Sequence, residues 1–192
     1  MNSNIHEYIS SYFSSVFIES DLLYKYLWGG RNTTLTDIFK EPDNQWGPLT
    51  VKSPTIVLEV GISQSLTQLR KDVEEYFKPN SQIQIVILVK VWDRSIPPKD
   101  ITPTFPIPAG KVKDMLIEVY YKNNSPGKSI YFGNYGNWTD RAPPKCTKYN
   151  LPEFQIELPG ELMFFGSPIF EQVKSKNITF DLYGLQKCIL NN

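Results

Sequence analysis

The sequence predicts an α/β domain, and three observations point to that class. A β-branched apolar run, an amphipathic helical stretch and a second apolar run follow one another between residues 55 and 92. A helical apolar pattern precedes them, and short aromatic-rich runs follow. Strand, helix and strand within about 40 residues make a parallel, right-handed crossover the default arrangement. A chain of 192 residues with 41% hydrophobic residues can bury one sizeable core, so we expect a single globular domain.

The N-terminal stretch, residues 4–28, carries an apolar stripe with helical spacing. Its apolar side chains recur three and four positions apart and therefore share one helix face: Ile5, Tyr8, Ile9, Tyr12, Phe13, Val16 and Phe17. We expect this helix to end near the pair Gly29 and Gly30. The mixture of threonine, proline and glycine that follows, up to residue 54, predicts short strands and turns.

Two apolar runs form the strands of the predicted crossover. Residues 55–60, TIVLEV, are β-branched and apolar apart from one carboxylate, Glu59, and Gly61 ends the run. Residues 83–92, IQIVILVKVW, are almost continuously apolar, with Lys90 as the one charge. Runs of this kind are typical of central strands that are covered on both faces. We therefore expect both strands to be buried.

The stretch between the two runs predicts an amphipathic helix. Ser63 or Ser65 can cap its start, and it extends to about Phe77. One face is apolar and carries Leu66, Leu69, Val73, Tyr76 and Phe77, while charged side chains, including Lys71, lie off that face.

The C-terminal half has a different composition. Residues 95–110, SIPPKDITPTFPIPAG, predict a loop or an arm on the surface. The segments MLIEVYY, SIYFGNY, FQIEL and ITFDLYG predict additional short strands. The chain thus divides into an N-terminal helix (1–30), a core (31–92) and a proline- and aromatic-rich elaboration (93–192).

Composition argues against several classes of function. The formal net charge is zero and the pI is near 6.6, so no global basic field attracts nucleic acid or an anionic membrane. Two cysteines are too few for a disulfide framework, and neither a signal peptide nor a long apolar run is evident. We expect an intracellular protein, cytoplasmic or nuclear, with no membrane partner. The phosphate-loop, dinucleotide, zinc-protease and serine-nucleophile motifs are missing from the sequence.

Glu59 is the residue on which a functional interpretation depends. An unpaired carboxylate in an apolar strand costs several kcal/mol, so it must be paired, protonated, at an exposed end or bound to a cation. If a hairpin brought Asp43 near, two carboxylates could bind Mg²⁺, and such a cation promotes phosphodiester hydrolysis. The alternatives are a structural ion pair between Glu59 and Lys90, and a turn-capping role for Asp43. The single histidine, His6, is expected on the first helix, away from these residues.

Residues 35–92 resemble a known superfamily. Pro42 and Asp43, sixteen residues before Glu59 in an apolar strand that a helix and another strand follow, are similar to the PD-(D/E)XK, or restriction-endonuclease-like, superfamily. The segments EPDNQW, SPTIVLEVGISQSL and IVILVKV resemble fungal nuclease-like proteins of that superfamily and, more distantly, Uma2-type endonuclease-like proteins. The resemblance implies a mixed central sheet flanked by helices, with additional C-terminal strands. It also implies a DNA nuclease in which Asp43 and Glu59 bind Mg²⁺ or Mn²⁺.

The sequence departs from that motif at Gly61, where the superfamily has its lysine. In variant members the lysine stands on a neighbouring helix or strand, and Lys90 is the replacement we prefer, because a lone charge in an apolar strand needs a partner. Lys71 and, more weakly, Gln64 are further candidates. The predicted catalytic set is therefore Asp43, Glu59 and Lys90. The alternative is a nuclease-like fold that has lost activity and binds nucleic acid or another protein, since the fold alone does not decide function.

Overall fold

The computed structural model describes residues 3–22, 25–30, 35, 40–93, 113–133, 146–149, 151–169 and 171–190. Five α-helices are present in this part: α1 (Ser3–Glu19), α2 (Leu66–Tyr76), α3 (Gly160–Met163), α4 (Glu171–Lys174) and α5 (Leu182–Leu190). One 3-10 turn spans Leu151–Phe154. The strands are β1 (Leu27–Gly30), β2 (Asn44–Pro48), β3 (Ile56–Gly61), β4 (Ile85–Asp93), β5 (Lys113–Tyr121), β6 (Asn124–Gly133), β7 (Gln155–Leu158) and β8 (Ile178–Asp181).

Strands β1 to β6 form one mixed sheet in sequence order, and β7 pairs with β8 in a separate small sheet. Within the large sheet β3 and β4 are parallel, and all other neighbours are antiparallel. Helix α2 connects β3 to β4, which confirms the predicted crossover. The structure thus confirms the predicted α/β class with a mixed sheet flanked by helices.

The sheet separates two apolar cores because side chains alternate along each strand. On one face Leu58 of β3 packs with the buried stripe of α1 and with residues of α5, β7 and β8. On the other face Val57 packs with Leu69, Val73 and Tyr76 of α2. Glu59 follows the alternation of Val57 and therefore belongs to the α2 face.

The N-terminal helix is shorter than the sequence predicts. The residue Asp21 has a positive φ of 57°, the left-handed conformation that ends many helices. Its N–H donates to the carbonyl of Ile18 at 2.9 Å, and the N–H of Leu22 donates to the carbonyl of Phe17 at 3.0 Å. These two bonds are the Schellman pattern. The expected stop signal, Gly29 and Gly30, lies within β1 instead.

The C-terminal strands occur where the sequence predicts them, with one correction. The segment ITFDLYG is a strand only as far as Asp181, and α5 begins at the next residue. The Asp181 carboxylate accepts a hydrogen bond of 2.8 Å from the N–H of Tyr183. This N-terminal cap stabilises the start of α5, although the residues around it have a high strand propensity. The proline-dense run 95–110 lies outside the described residues. Among the helices that are described, none is both long enough and apolar enough to cross a membrane.

Candidate functional site

The β2–β3 hairpin brings Asp43 and Glu59 together. Asn44 stands opposite Leu58 in the antiparallel register, so the preceding residue, Asp43, faces Glu59 across the hairpin. The Asp43 Oδ2 atom accepts a hydrogen bond of 2.7 Å from the backbone N–H of Val60. The Asp43 carboxylate is therefore held against β3 by a contact with the partner strand.

Glu59 is a carboxylate whose charge is poorly compensated. Its Oε1 atom accepts a short hydrogen bond from the Tyr76 hydroxyl. Burial raises the pKa of Glu59 to about 7; the Tyr76 hydrogen bond opposes this rise, and the negative charge of Asp43 adds to it. The smaller influences are Lys40, which lowers this pKa, and Asp72, which raises it. Near neutral pH the site thus lies close to the midpoint between neutral and ionised Glu59.

His6 belongs to this site, so the expectation that it lies apart from the other candidates was wrong. The first turn of α1 places its Nδ1 atom 2.6 Å from Asp43 Oδ1. The hydrogen bond to Asp43 raises the pKa of His6, with a further contribution from the charge of Glu59. The imidazole therefore favours its protonated form and supplies positive charge beside Asp43.

Lys90 does not pair with either acid. Lys90 lies on β4, opposite Gly61 of β3. Its Nζ atom donates to the backbone carbonyl of Ile62 at 2.6 Å. The ammonium also lies 5.6 Å from the ring centroid of Trp92. Burial lowers the pKa of Lys90, and within the described residues no carboxylate contact opposes that effect. The alternative of a structural ion pair between Glu59 and Lys90 is therefore wrong.

Position 61 lies where α2 packs closely against β3. A Cβ atom at Gly61 would lie 2.2 Å from Cδ1 of Leu69 and 3.0 Å from its Cγ. Leu69 is almost fully buried on α2. A side chain at position 61 would therefore require the buried Leu69 side chain to shift.

The other two polar candidates have different surroundings. Gln64 donates from Nε2 to Oδ2 of Asp72 at 2.6 Å, so it supports another carboxylate of the same region. Lys71 is exposed on α2. The same Asp72 forms an ion pair with Lys40, with 2.9 Å between Nζ and Oδ1. The structure thus places Lys40, which the sequence interpretation did not consider, beside the acids.

The donor set of the site fits a hard divalent cation in its chemistry. Asp43 and Glu59 offer carboxylate oxygens. Burial and, to a smaller extent, the charge of Asp43 disfavour the ionised form of Glu59, and a bound cation would offset both effects. The hydrogen bonds from His6 and Val60 to Asp43 are of the supporting kind that ligating carboxylates receive. No group of three or more His, Cys, Asp or Glu side chains arranged for metal binding occurs among the described residues.

Four side chains of the site were not predicted, namely Tyr76, His6, Lys40 and Asp72, and the sequence indicates them to different degrees. Tyr76 is on the apolar face of α2, where a hydroxyl needs a polar partner once buried, so its spacing was a usable signal. His6 meets Asp43 across 37 residues, and nothing local indicates that contact. Lys40 carries no sequence signal beyond its closeness to Asp43.

Comparison with known proteins identified no relative of this chain. No protein-family model matches the chain, and neither the curated proteins nor the solved structures include one that is detectably similar to it.

Proposed function

We propose that this protein is a metal-dependent nuclease of the PD-(D/E)XK type that hydrolyses DNA phosphodiester bonds. The observation that carries the proposal is the pairing of Asp43 with Glu59 by the β2–β3 hairpin, directly before the crossover through α2 to β4. A restriction-endonuclease-like fold would place its two acids on adjacent elements of this kind. The six-stranded mixed sheet is consistent with that finer fold assignment.

Asp43 and Glu59 would hold the Mg²⁺ or Mn²⁺ ion. When bound, the ion supplies Lewis-acid activation of the phosphate and lowers the pKa of an attacking water. His6 keeps Asp43 oriented through the 2.6 Å contact, and Tyr76 does the same for Glu59. Preorganised carboxylates of this kind need little rearrangement when the cation arrives.

The charges of the site make the metal essential to the proposal. Asp43 and Glu59 face each other across the hairpin, and both carboxylates would lie next to the phosphate of bound DNA. They would repel that phosphate unless a divalent cation lay between them. We therefore expect DNA cleavage to depend absolutely on added metal.

A second candidate function is a nuclease-like module that binds without cleaving. The observation that favours it is the glycine at position 61, where the superfamily has its lysine. A Cβ atom there would lie 2.2 Å from Cδ1 of Leu69. The two functions differ in one respect that can be measured, because only the nuclease converts bound DNA into product.

The experiment is a cleavage assay on plasmid and linear DNA with Mg²⁺ or Mn²⁺, and with EDTA as the metal-free control. Wild type should cleave, whereas Glu59→Ala and Asp43→Asn should lose at least about 100-fold in rate. The matched control is Glu74→Ala, which removes an exposed carboxylate of α2 and should cleave normally. Equal activity in wild type and Glu59→Ala would rule out this site. Metal-independent DNA binding without cleavage would favour the module.

A further inference from the structure

We infer that Lys40 is the cationic side chain of this site and contacts the scissile phosphate. The inference rests on the proposed nuclease function and replaces Lys90 in the predicted catalytic set. Its basis is the position of the Lys40 ammonium beside Asp72 and Tyr76 of α2. The Tyr76 hydroxyl donates a hydrogen bond to Glu59.

The contacts of Lys40 bring it to the edge of the acid pair. Its Nζ atom lies 2.9 Å from Asp72 Oδ1 and 5.2 Å from the ring centroid of Tyr76. The Tyr76 hydroxyl in turn donates to Glu59. One turn of α2, from residue 72 to residue 76, therefore connects the ammonium to the carboxylate.

The surroundings of Asp72 hold this ammonium in place. Gln64 donates to Asp72 Oδ2 at 2.6 Å, and Gln68 donates to Oδ1 at 3.3 Å. A carboxylate fixed by two amides offers Lys40 a defined position, and Asp72 engages only one of the three hydrogens of an ammonium. The Lys40 side chain keeps 21% of its surface exposed, so it is partly accessible to a ligand.

Lys40 and Lys90 have different neighbours. The Lys40 ammonium lies 5.2 Å from the ring centroid of Tyr76, whose hydroxyl donates to Glu59. Lys90 is directed to the carbonyl of Ile62 and the ring of Trp92. Lys90 is also buried, whereas the Lys40 side chain keeps 21% of its surface exposed. A phosphate can therefore approach Lys40 more easily than Lys90.

A purely structural alternative is that Lys40 ties the segment before β2 to α2 through its ion pair with Asp72. The two roles predict different effects of substitution. A structural tie contributes to stability and is lost equally by changing Lys40 or Asp72. A phosphate contact contributes to rate and to the salt dependence of DNA binding, and an arginine preserves it in part.

The experiment compares Lys40→Met, Lys40→Arg, Lys90→Met and the control Lys52→Met, which removes an exposed lysine. Cleavage is measured with Mg²⁺, and binding of a DNA duplex is measured in Ca²⁺ over a range of salt. We expect Lys40→Met to lose about 100-fold in rate and to reduce the log–log salt slope by about 0.9, with an unchanged Tm. Lys40→Arg should recover part of the rate.

The inference is overturned if Lys40→Met cleaves and binds like Lys52→Met while wild type is active, and the proposed function then stands without it. Loss of cleavage in Lys90→Met with normal cleavage in Lys40→Met also overturns it and restores the original assignment. A fall in Tm equal to that of Asp72→Asn, with an unchanged salt slope, identifies Lys40 as a structural tie. If wild type cleaves no DNA with any metal, the proposed function fails, and this inference fails with it.

Discussion

Glu59 and Glu118 are two carboxylates on the same face of the sheet, one on each side of Leu88 in the strand register. Glu118 receives two hydrogen bonds from the Arg70 guanidinium, at 2.6 and 2.9 Å, and further bonds from two hydroxyl groups. Glu59 receives one bond from a tyrosine and faces a second acid. The same helix, α2, supplies the partner in both cases.

The difference shows what a matched charge does to a buried acid. Burial alone would raise the pKa of Glu118, but its hydrogen bonds, chiefly with Arg70, outweigh burial and lower it. For Glu59 burial prevails and raises the pKa to about 7, and Asp43 adds to the rise. Glu118 is thus complete without a ligand, whereas Glu59 has the poorly compensated charge expected of a functional carboxylate.

Introducing a lysine beside Glu59 has the largest expected effect on the contrast between Glu59 and Glu118. Gly61→Lys would supply a cation, as Arg70 does for Glu118, but its Cβ would overlap Leu69. We expect a loss of about 3 kcal/mol or more in the free energy of unfolding, measured by urea denaturation. Gly61→Ala isolates the steric part and should lose about 1–3 kcal/mol. Full stability of both variants would show that α2 does not restrict this position.

Removing the partner of Glu118 should have the next largest effect. Arg70→Met leaves Glu118 buried without its cation. We expect a loss of about 2–3 kcal/mol, somewhat below the range for fully buried pairs, because the Arg70 side chain is 48% exposed. The neighbouring exposed lysine provides the control, since Lys71→Met should change stability by less than about 0.5 kcal/mol. Equal stability of the two variants would contradict a structural role for the Glu118 pair.

Neutralising each glutamate should give opposite changes in stability. The pKa of Glu59 rises from its ordinary value of 4.5 to about 7 in the folded state, so folding disfavours the ionised form. The cost is absent at pH 4 and grows as the pH rises to about 7. Glu59→Gln should therefore gain up to about 3 kcal/mol at pH 8 and nothing at pH 4.

Glu118→Gln should show the reverse. A lowered pKa means that the ionised Glu118 stabilises the fold above its unfolded pKa, and that this contribution is lost as the pH falls. The variant should be less stable than wild type at pH 8, with a difference that shrinks towards pH 3. Chemical denaturation at several pH values measures both effects, and the same sign for Glu59→Gln and Glu118→Gln would contradict the contrast between them.

The sequence was sufficient for the elements that carry strong local patterns. The apolar runs around Glu59 and Lys90 and the amphipathic stretch between them predicted β3, β4 and α2 closely, and Ser65 does cap α2. The end of α1 and the start of α5 were missed because single residues, Asp21 and Asp181, decide them through backbone conformation and capping.

The candidate site was predictable only in part. The sequence allowed a hairpin between Asp43 and Glu59 as one of two alternatives for Asp43, and the structure contains this hairpin. The contacts of His6, Lys40 and Tyr76 depend on how helices pack against the sheet, which no local pattern encodes. The preference for Lys90 rested on the need of a buried charge for a partner. The partner is a backbone carbonyl, which accepts a hydrogen bond but leaves the pKa of Lys90 lowered by burial.

The central claim is that Glu59 binds a divalent cation, and Mn²⁺ titration by calorimetry tests it most directly. Wild type should bind Mn²⁺ and release about half a proton at pH 7, because Glu59 must ionise fully to bind. Folded Glu118→Gln should bind equally well, whereas Glu59→Gln should lose at least about 10-fold in affinity. Binding of Mn²⁺ by Glu59→Gln with the affinity and proton release of wild type would contradict the account.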